Sequence, residues 1–121
     1  MNNIKQASIY VNKHISLQPP AKELAAELYR VIDFNRDYFS QFMEWPKFVT
    51  HPKDTADFLD SCLAKHQNNQ SKNYVIMLNN HAVGMLSFNQ IDQNNKTAYL
   101  GYWLDSRVQR QGIMTQAIIM P

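Results

Sequence analysis

The feature that most constrains the fold of this chain is the stretch from Tyr99 to Gln116, Y-L-G-Y-W-L-D-S-R-V-Q-R-Q-G-I-M-T-Q. An apolar strand pattern runs directly into a basic, glycine-containing turn, and an apolar helix pattern begins after it. The first N–H groups of a helix have no partner within the helix, and the helix dipole adds partial positive charge there. This order of elements therefore predicts a turn that can hold an anion such as a diphosphate.

The N–H groups expected to hold that anion belong to four consecutive residues, Gln111, Gly112, Ile113 and Met114. Gly112 lets the backbone approach closely because it has no side chain. Arg107 and Arg110 lie in the same loop, where each either contacts phosphate or is an ordinary surface charge. A Gln-x-x-Gly pattern is common, so the prediction depends on its position between a strand and a helix.

The composition fits one globular domain. The chain has 121 residues, of which 45% are hydrophobic and 18% are charged. We therefore expect a single domain over residues 1–121. Twelve Lys and Arg against ten Asp and Glu give a net charge of +2 with no run of like charge. Nucleic acid is therefore not expected as a partner, because a clustered basic surface would be needed.

Cysteine usage and hydropathy predict a cytoplasmic protein. Cys62 is the one cysteine, so an internal disulfide is excluded and a packed thiol is expected. The N-terminus lacks an apolar signal core, and no run approaches the ~18 apolar residues of a membrane span. The four histidines lie on separate predicted elements without the spacing of metal ligands, so no metal site is expected.

The first half of the chain is predicted to form a short strand followed by helices. The strand covers residues 14–18 and is closed by two prolines, after which apolar residues recur at helical spacing from Leu24 to Ile32. A second short helix over residues 37–44 must end before Trp45-Pro46, because a residue that precedes proline avoids the α region. A third helix begins at Pro52 and carries an apolar stripe as far as His66.

The second half is predicted to form an antiparallel meander of three strands, over residues 74–78, 82–91 and 97–104. The first two flank an Asn-Asn-His turn that tolerates positive φ. Both faces of the third strand are largely apolar, which predicts a central strand. Gly101 within it indicates a bulge or a close approach by a ligand. The fold class is therefore α+β.

Three segments also resemble a known family: L-S-F-N-Q-I at 86–91, N-K-T-A-Y-L-G-Y-W-L-D at 95–105 and Q-R-Q-G-I-M-T-Q-A at 109–117. They resemble the GNAT superfamily of acetyl-CoA-dependent N-acetyltransferases, especially its branch of ribosomal-protein serine N-acetyltransferases. The segment W-P-K-F-V at 45–49 matches the W-P-x-F-V of that branch. The resemblance runs from about His14 onward and implies the N-terminal half of a GNAT fold, ending at the start of the cofactor helix.

The resemblance implies where acetyl-CoA would bind. The strand end at Trp103 and Leu104 would splay from its neighbour and pair its backbone with the pantetheine arm. Trp45 and Phe48 would line the acceptor side of the groove, although core positions are the alternative for both rings. The family's diphosphate pattern, Q or R-x-x-G-x-G or A, maps onto Gln109, Arg110, Gln111, Gly112, Ile113 and Met114. Methionine departs from the small residue usual at the last of these positions.

The implied reaction transfers an acetyl group to an amine, either a protein N-terminus or a small amine. Backbone N–H groups of the splayed strand can stabilise the oxyanion. In the family, the groups that protonate the leaving thiolate come from segments after the cofactor helix, so the catalytic residues here are unknown. Asp105 is expected to cap the strand end rather than act as a base. Glu44 is expected to be a solvated carboxylate, with a base beside the groove as the alternative.

Pro121 follows Gly112 by nine residues, so we expect a chain truncated after the diphosphate loop. Activity is then expected to be impaired or completed by a partner. The alternative is a non-catalytic module that binds CoA or associates with itself. A helix that begins near Gly112 and ends before Pro121 would be too short to be stable alone, and the last strand would leave apolar surface uncovered. We therefore expect a homodimer.

Overall fold

The computed structural model describes residues 8–67, 71–92 and 97–109. Three helices and five strands form these parts of the chain. In chain order they are β1 (Ile9–Tyr10), β2 (Ile15–Gln18), α1 (Ala25–Phe34), α2 (Arg36–Phe39), α3 (Pro52–Gln67), β3 (Ser71–Leu78), β4 (His81–Asp92) and β5 (Thr97–Leu104). Short 3-10 turns cover Lys22–Leu24, Trp45–Phe48 and Ser106–Val108.

The strands form one antiparallel sheet in the order β1-β2-β3-β4-β5, which confirms the α+β class. The predicted meander is present as β3, β4 and β5, and β2 extends it by pairing with β3. The two-sided apolar pattern of β5 predicted a central strand, but β5 is last in this order, with β4 as its one neighbour among the described residues. At the described end of β5, Leu104 lies in the core on one face and Trp103 packs against aromatic rings on the other, whereas Tyr102 is 56% exposed.

The turn between β3 and β4 has the geometry that its sequence predicted. Leu78 pairs with His81 across the two asparagines of the turn. Asn79 has a φ of 51° and Asn80 a φ of 68°. Two consecutive residues with positive φ make the tight turn whose twist matches that of a hairpin, and asparagine tolerates this conformation better than most residues.

Two apolar clusters form the core. One contains Ile15, Leu17, Ile76, Val83, Leu86 and Leu104, and the other contains Ala25, Leu28, Leu59, Cys62, Val75, Met77, Ala82 and Met85. Neighbouring residues of β3 fall into different clusters, as expected when successive side chains point to opposite faces of a sheet. The second cluster joins α1 and α3 to the sheet. Burial there raises the pKa of the Cys62 thiol to about 11, although Lys65 opposes the shift.

The second helix is shorter than predicted. It was expected over residues 37–44, but α2 ends at Phe39 and turns follow it. The amides of Phe42 and Met43 both donate to the carbonyl of Phe39, so the chain reverses there. The reversal brings Pro46 beside Arg36, whose guanidinium donates to the Pro46 carbonyl. This contact between neighbouring segments favours the turn over a longer helix.

Candidate active site

A cleft of about 700 Å³ lies between the helices and the last two strands. Fourteen residues line it: Leu28, Ile32, Met43, Glu44, Trp45, Phe48, Val49, Thr55, Phe58, Met85, Ser87, Gly101, Tyr102 and Trp103. They come from α1, the segment at 43–49, the N-terminal half of α3, β4 and β5. Binding sites for small molecules are typically concave and mostly apolar, with a few polar groups. The cleft has this character.

Aromatic rings dominate the wall of the cleft. The indole rings of Trp45 and Trp103 lie 5.7 Å apart at an angle of 52°. Trp103 also meets the buried ring of Phe39 at 5.4 Å, edge to face. Phe48 is 70% exposed at the rim. The structure thus brings together the side chains of Trp45, Phe48 and Trp103, three residues that the sequence had singled out.

The segment that carries Trp45 and Phe48 is held by contacts at its proline. Pro46 is buried and stands in the first turn of the 3-10 segment, where its lack of an N–H is tolerated. Its carbonyl accepts hydrogen bonds from the amide of Val49, at 3.2 Å, and from the guanidinium of Arg36. Arg36 also pairs with Asp33 at 3.1 Å. These contacts fix the segment against the α1–α2 corner and place both rings on the cleft wall.

Polar groups in the lining are few. Glu44 is exposed, as the sequence predicted for this carboxylate, and lies in the wall beside Trp45. Thr55 is 3% exposed, and its Oγ1 has no hydrogen-bond partner among the described residues. A buried hydroxyl without a partner costs about 1–3 kcal/mol. Ser87 is satisfied, because its hydroxyl donates to Asn73 Oδ1 at 2.8 Å.

The edge of β5 away from β4 is open in the described part of the chain. The amide of Asp105 donates to the carbonyl of Val83 at 2.8 Å, and Leu104 stands opposite Gly84. Backbone groups of an antiparallel strand point alternately to its two sides. The backbone N–H and C=O groups of Leu104 therefore face the open edge, and the backbone groups of Trp103 face β4. Of the two residues predicted to offer backbone groups to a ligand, Leu104 has the suitable orientation.

A buried polar network follows β5. Asn35, at the junction of α1 and α2, is 2% exposed, and its side chain uses all four of its hydrogen-bonding positions. Its Nδ2 donates to the Val31 carbonyl at 2.8 Å and to Asp105 Oδ1 at 3.1 Å. Its Oδ1 accepts from the amide of Ser106 at 3.1 Å and from the Ser106 hydroxyl at 2.6 Å. The network ties the end of β5 to the helices.

Asp105 is a structural cap. Its carboxylate accepts from the Arg107 amide at 3.0 Å and from the Arg107 guanidinium at 2.7 Å. Burial by itself raises the pKa of Asp105, but hydrogen bonds from Arg107 and Asn35 outweigh it, and the net shift is downwards. A carboxylate held so firmly in its ionised form is a poor base. The guanidinium of Arg107 also stacks on Phe34, with its central carbon 3.9 Å from the ring centroid.

Gln109 is the last residue that the structure describes. Its Nε2 donates to the Leu104 carbonyl at 3.0 Å, and its Oε1 accepts from the Tyr38 hydroxyl at 3.0 Å. The predicted diphosphate-binding residues 110–114 lie outside the described residues. Neither Asn35 nor Tyr38 was expected from the sequence, because their partners are about 70 positions away along the chain. A polar or aromatic residue at a helix end gives no local signal of so distant a contact.

Among the described residues, no group of three or more His, Cys, Asp or Glu side chains is placed to hold a metal ion. No described helix combines the length and apolarity needed to cross a membrane.

Comparison with known proteins assigns the family. Residues 14–120 match the acetyltransferase (GNAT) domain family. The chain is 35% identical over 111 residues to the ribosomal-protein-serine acetyltransferase of Escherichia coli (strain K12), an alignment that covers 92% of this chain and 62% of that protein.

Solved structures give the same assignment. The microcin C7 self-immunity acetyltransferase MccE, in complex with acetyl-CoA and AMP, is 41% identical with a TM-score of 0.85, over 89% of this chain and 60% of that chain. RimL, a ribosomal L7/L12 alpha-N-protein acetyltransferase in complex with coenzyme A, is 34% identical with a TM-score of 0.84. That match covers 91% of this chain and 62% of the RimL chain. The chain thus spans about 60% of the length of these relatives. It belongs to the GNAT acetyltransferase domain family.

Proposed function

We propose that this chain binds acetyl-CoA along the open edge of β5 and the turn after it, for acetyl transfer to an amine held in the aromatic cleft. One observation carries the proposal. Gly101, Tyr102 and Trp103 of β5 line the cleft, so a molecule held there lies directly beside the strand edge. An acceptor and a thioester brought together in this way would react within one site, and such positioning can contribute about 7–11 kcal/mol.

The proposed cofactor site begins at β5. The backbone of Leu104 would pair with the pantetheine arm, and the side of the cleft formed by Trp103 would orient the thioester. The diphosphate would be held by the turn that starts at Gln109 and continues through Arg110, Gln111, Gly112, Ile113 and Met114. The complexes of MccE with acetyl-CoA and of RimL with coenzyme A support this choice of cofactor.

The proposed chemistry requires a neutral amine, donors for the oxyanion and a proton for the leaving thiolate. Backbone N–H groups that face the open edge of β5 would supply the donors, which can lower the barrier by about 3–4 kcal/mol. The rings of Trp45 and Trp103 would keep water away from the thioester. The groups that move protons are not assigned, and general acids and bases typically contribute about 10² to 10⁴ in rate.

The proposed acceptor is the amino terminus of a protein. The E. coli relative is a ribosomal-protein-serine acetyltransferase, and the RimL relative acts on ribosomal L7/L12. Glu44, the exposed carboxylate in the lining, would attract an amine in its cationic form before the proton is lost. The apolar wall would accommodate the side chains that follow the terminal residue.

An acceptor that carries a nucleotide is the second candidate. The rings of Trp45, Phe48, Phe58, Tyr102 and Trp103 line the cleft, and flat aromatic surfaces suit a nucleobase. The MccE relative was solved with AMP as well as acetyl-CoA. If this candidate is correct, AMP should compete with the acceptor. If a peptide N-terminus is the acceptor, a serine-initiated peptide should be acetylated and AMP should have no effect.

The test of the proposed function measures thiol release from acetyl-CoA in the presence of a serine-initiated peptide. The proposal expects release that depends on the peptide and a mass increase of one acetyl group on its N-terminus. Binding of CoA without release would favour the alternative, a non-catalytic CoA-binding module. Absence of both binding and release would contradict both functions.

We also propose that residues 1–121 form a single cytoplasmic domain that associates as a homodimer. Sedimentation at micromolar concentration should then show a dimer. If a second copy completes the site, activity per chain should rise with protein concentration, whereas an impaired but self-sufficient chain would show constant activity per chain.

A further inference from the structure

We propose that Tyr38 is a positioning residue for cofactor binding, and that it acts through the side chain of Gln109. This inference rests on the proposed function, because it concerns the affinity for CoA. The phenol hydroxyl of Tyr38 donates to Gln109 Oε1 at 3.0 Å. Gln109 is the first residue of the diphosphate pattern predicted for residues 109–114. Tyr38 lies on α2 and is not among the residues that line the cleft.

The orientation of the Gln109 amide follows from its two partners. The Leu104 carbonyl can only accept, so the group that meets it at 3.0 Å must be Nε2. Oε1 is then left to accept from Tyr38. If the phenol hydroxyl is removed, Oε1 loses this partner and the amide is held at one end only. The carboxamide can then rotate or move away from the open edge of β5.

A second anchor holds the same turn from the same corner of the helices. Asn35 binds the carboxylate of Asp105 and the backbone of Ser106, and all of its polar atoms are satisfied. Asn35 and Tyr38 are three residues apart on the α1–α2 corner, and their partners occupy the start and the end of the turn. The Asn35 anchor is buried, whereas Tyr38 is half-buried. Loss of the Tyr38 contact should therefore loosen the Gln109 end without unfolding the turn.

The expected consequence is a loss of preorganisation. Backbone donors that are already in place bind an anion more tightly than donors that must first be ordered. The Leu104 carbonyl is also affected, because Gln109 is its partner on the edge that we assign to the pantetheine arm. Through Gln109, Tyr38 thus influences the end of the proposed cofactor site that lies at Leu104.

The experiment is a calorimetric titration of the whole chain and its variants with coenzyme A. Tyr38→Phe removes only the hydroxyl and should raise the Kd for CoA about fivefold, the effect of one net hydrogen bond. Tyr29→Phe is the matched control, because its hydroxyl donates to the Thr50 carbonyl at 3.0 Å and lies outside the cleft lining. The control should leave the Kd unchanged. Hydrogen exchange of residues 104–109 should become faster in Tyr38→Phe and stay unchanged in Tyr29→Phe.

A double-mutant cycle tests whether Tyr38 acts through Gln109. Gln109→Met keeps the length of the side chain and removes both of its hydrogen bonds. The double variant should have the same Kd for CoA as Gln109→Met alone, because methionine at position 109 offers the Tyr38 hydroxyl no oxygen acceptor. Additive effects, or an unchanged Kd in Tyr38→Phe, would overturn the inference while leaving the proposed function in place. Failure of the unmodified chain to bind CoA would overturn both.

Discussion

The indole rings of Trp45 and Trp103 lie 5.7 Å apart at 52°, so the loop proposed as the acceptor wall touches the strand that carries the proposed cofactor edge. This contact joins two segments that lie 58 positions apart along the chain. It also means that the shape of the cleft depends on the register of β5, because Trp103 is fixed opposite Met85 of β4.

Trp45→Ala should enlarge the cleft and weaken the acceptor wall. We expect about a tenfold loss of kcat/KM for a serine-initiated peptide, at the low end for a lost contact in an apolar pocket, with the KM for acetyl-CoA unchanged. The free energy of unfolding should fall by about 1–3 kcal/mol, less than for a fully buried Trp. Tyr10→Ala, which removes a 71% exposed ring on β1, is the control and should change neither quantity. A higher KM for acetyl-CoA in Trp45→Ala would contradict the assignment of this ring to the acceptor side.

Thr55→Val should stabilise the fold by about 1 kcal/mol. The Oγ1 of Thr55 is buried without a hydrogen-bond partner among the described residues, and valine has the same shape without the polar atom. Denaturant unfolding measures the change. Thr50→Val is the matched control, because the Thr50 hydroxyl meets Asp54 Oδ2 at 3.5 Å and its loss should not stabilise the chain. Destabilisation of Thr55→Val by 1 kcal/mol or more would show that the hydroxyl has a partner in solution.

Gly84→Ala should disrupt the pairing of β4 with β5. A Cβ at this position would collide with the carbonyl oxygen of Trp103 and come within 3.0 Å of the Leu104 Cα. Both are backbone atoms of a paired strand, so they cannot rotate away as a flexible side chain can. We expect a loss of about 1–3 kcal/mol in the free energy of unfolding. Indole fluorescence should change as well, since Trp103 is one of only two tryptophans. Unchanged stability and fluorescence would mean that the strands pair more loosely than the structure shows.

Asp105 should make stability depend on pH in the acid range. The pKa of its carboxyl is lowered from 3.8, so the fold favours the ionised form. The stabilisation is therefore fully present above pH 3.8 and is lost as pH falls through the lower folded-state pKa. Asp105→Asn should be about 1.5–3 kcal/mol less stable at pH 7, and its stability should fall less on acidification. Thermal unfolding between pH 7 and pH 2 measures both effects.

Asp57→Asn is the control for that experiment. Asp57 pairs with Lys53 at 3.0 Å on the surface of α3, where both side chains are more than 60% exposed. An exposed pair contributes about 0–1 kcal/mol, so this variant should remain close to the unmodified chain at neutral pH. Equal losses of stability in the two variants would contradict the special role of the buried carboxylate.

Local pattern was enough to predict much of the fold. The strand at 97–104 was predicted with the bounds that the structure has, and the long helix and the asparagine turn were also confirmed. These elements have strong periodicity or residues that suit one backbone conformation. The short helix α2 was predicted too long, because the chain reversal after Phe39 depends on contacts with Arg36 and Pro46 that no local pattern contains.

The candidate site, like the fold, could be predicted from the sequence only in part. The resemblance to the GNAT family suggested Trp45 and Phe48 as acceptor-side residues, and the structure places both in the cleft wall. The orientation of Leu104 and the anchors at Asn35 and Tyr38 depend on sheet register and on contacts between distant residues, which periodicity does not encode. The roles assigned to residues 109–114 remain predictions.

An amide NMR titration of the chain with coenzyme A tests most directly whether the outer edge of β5 binds the cofactor. We expect the largest shifts in residues 101–109, at that edge and in the turn that follows it, with little change in β1 and β2. Saturable shifts confined to β1 and β2, or no shifts at millimolar coenzyme A, would contradict the assignment of this edge to the cofactor.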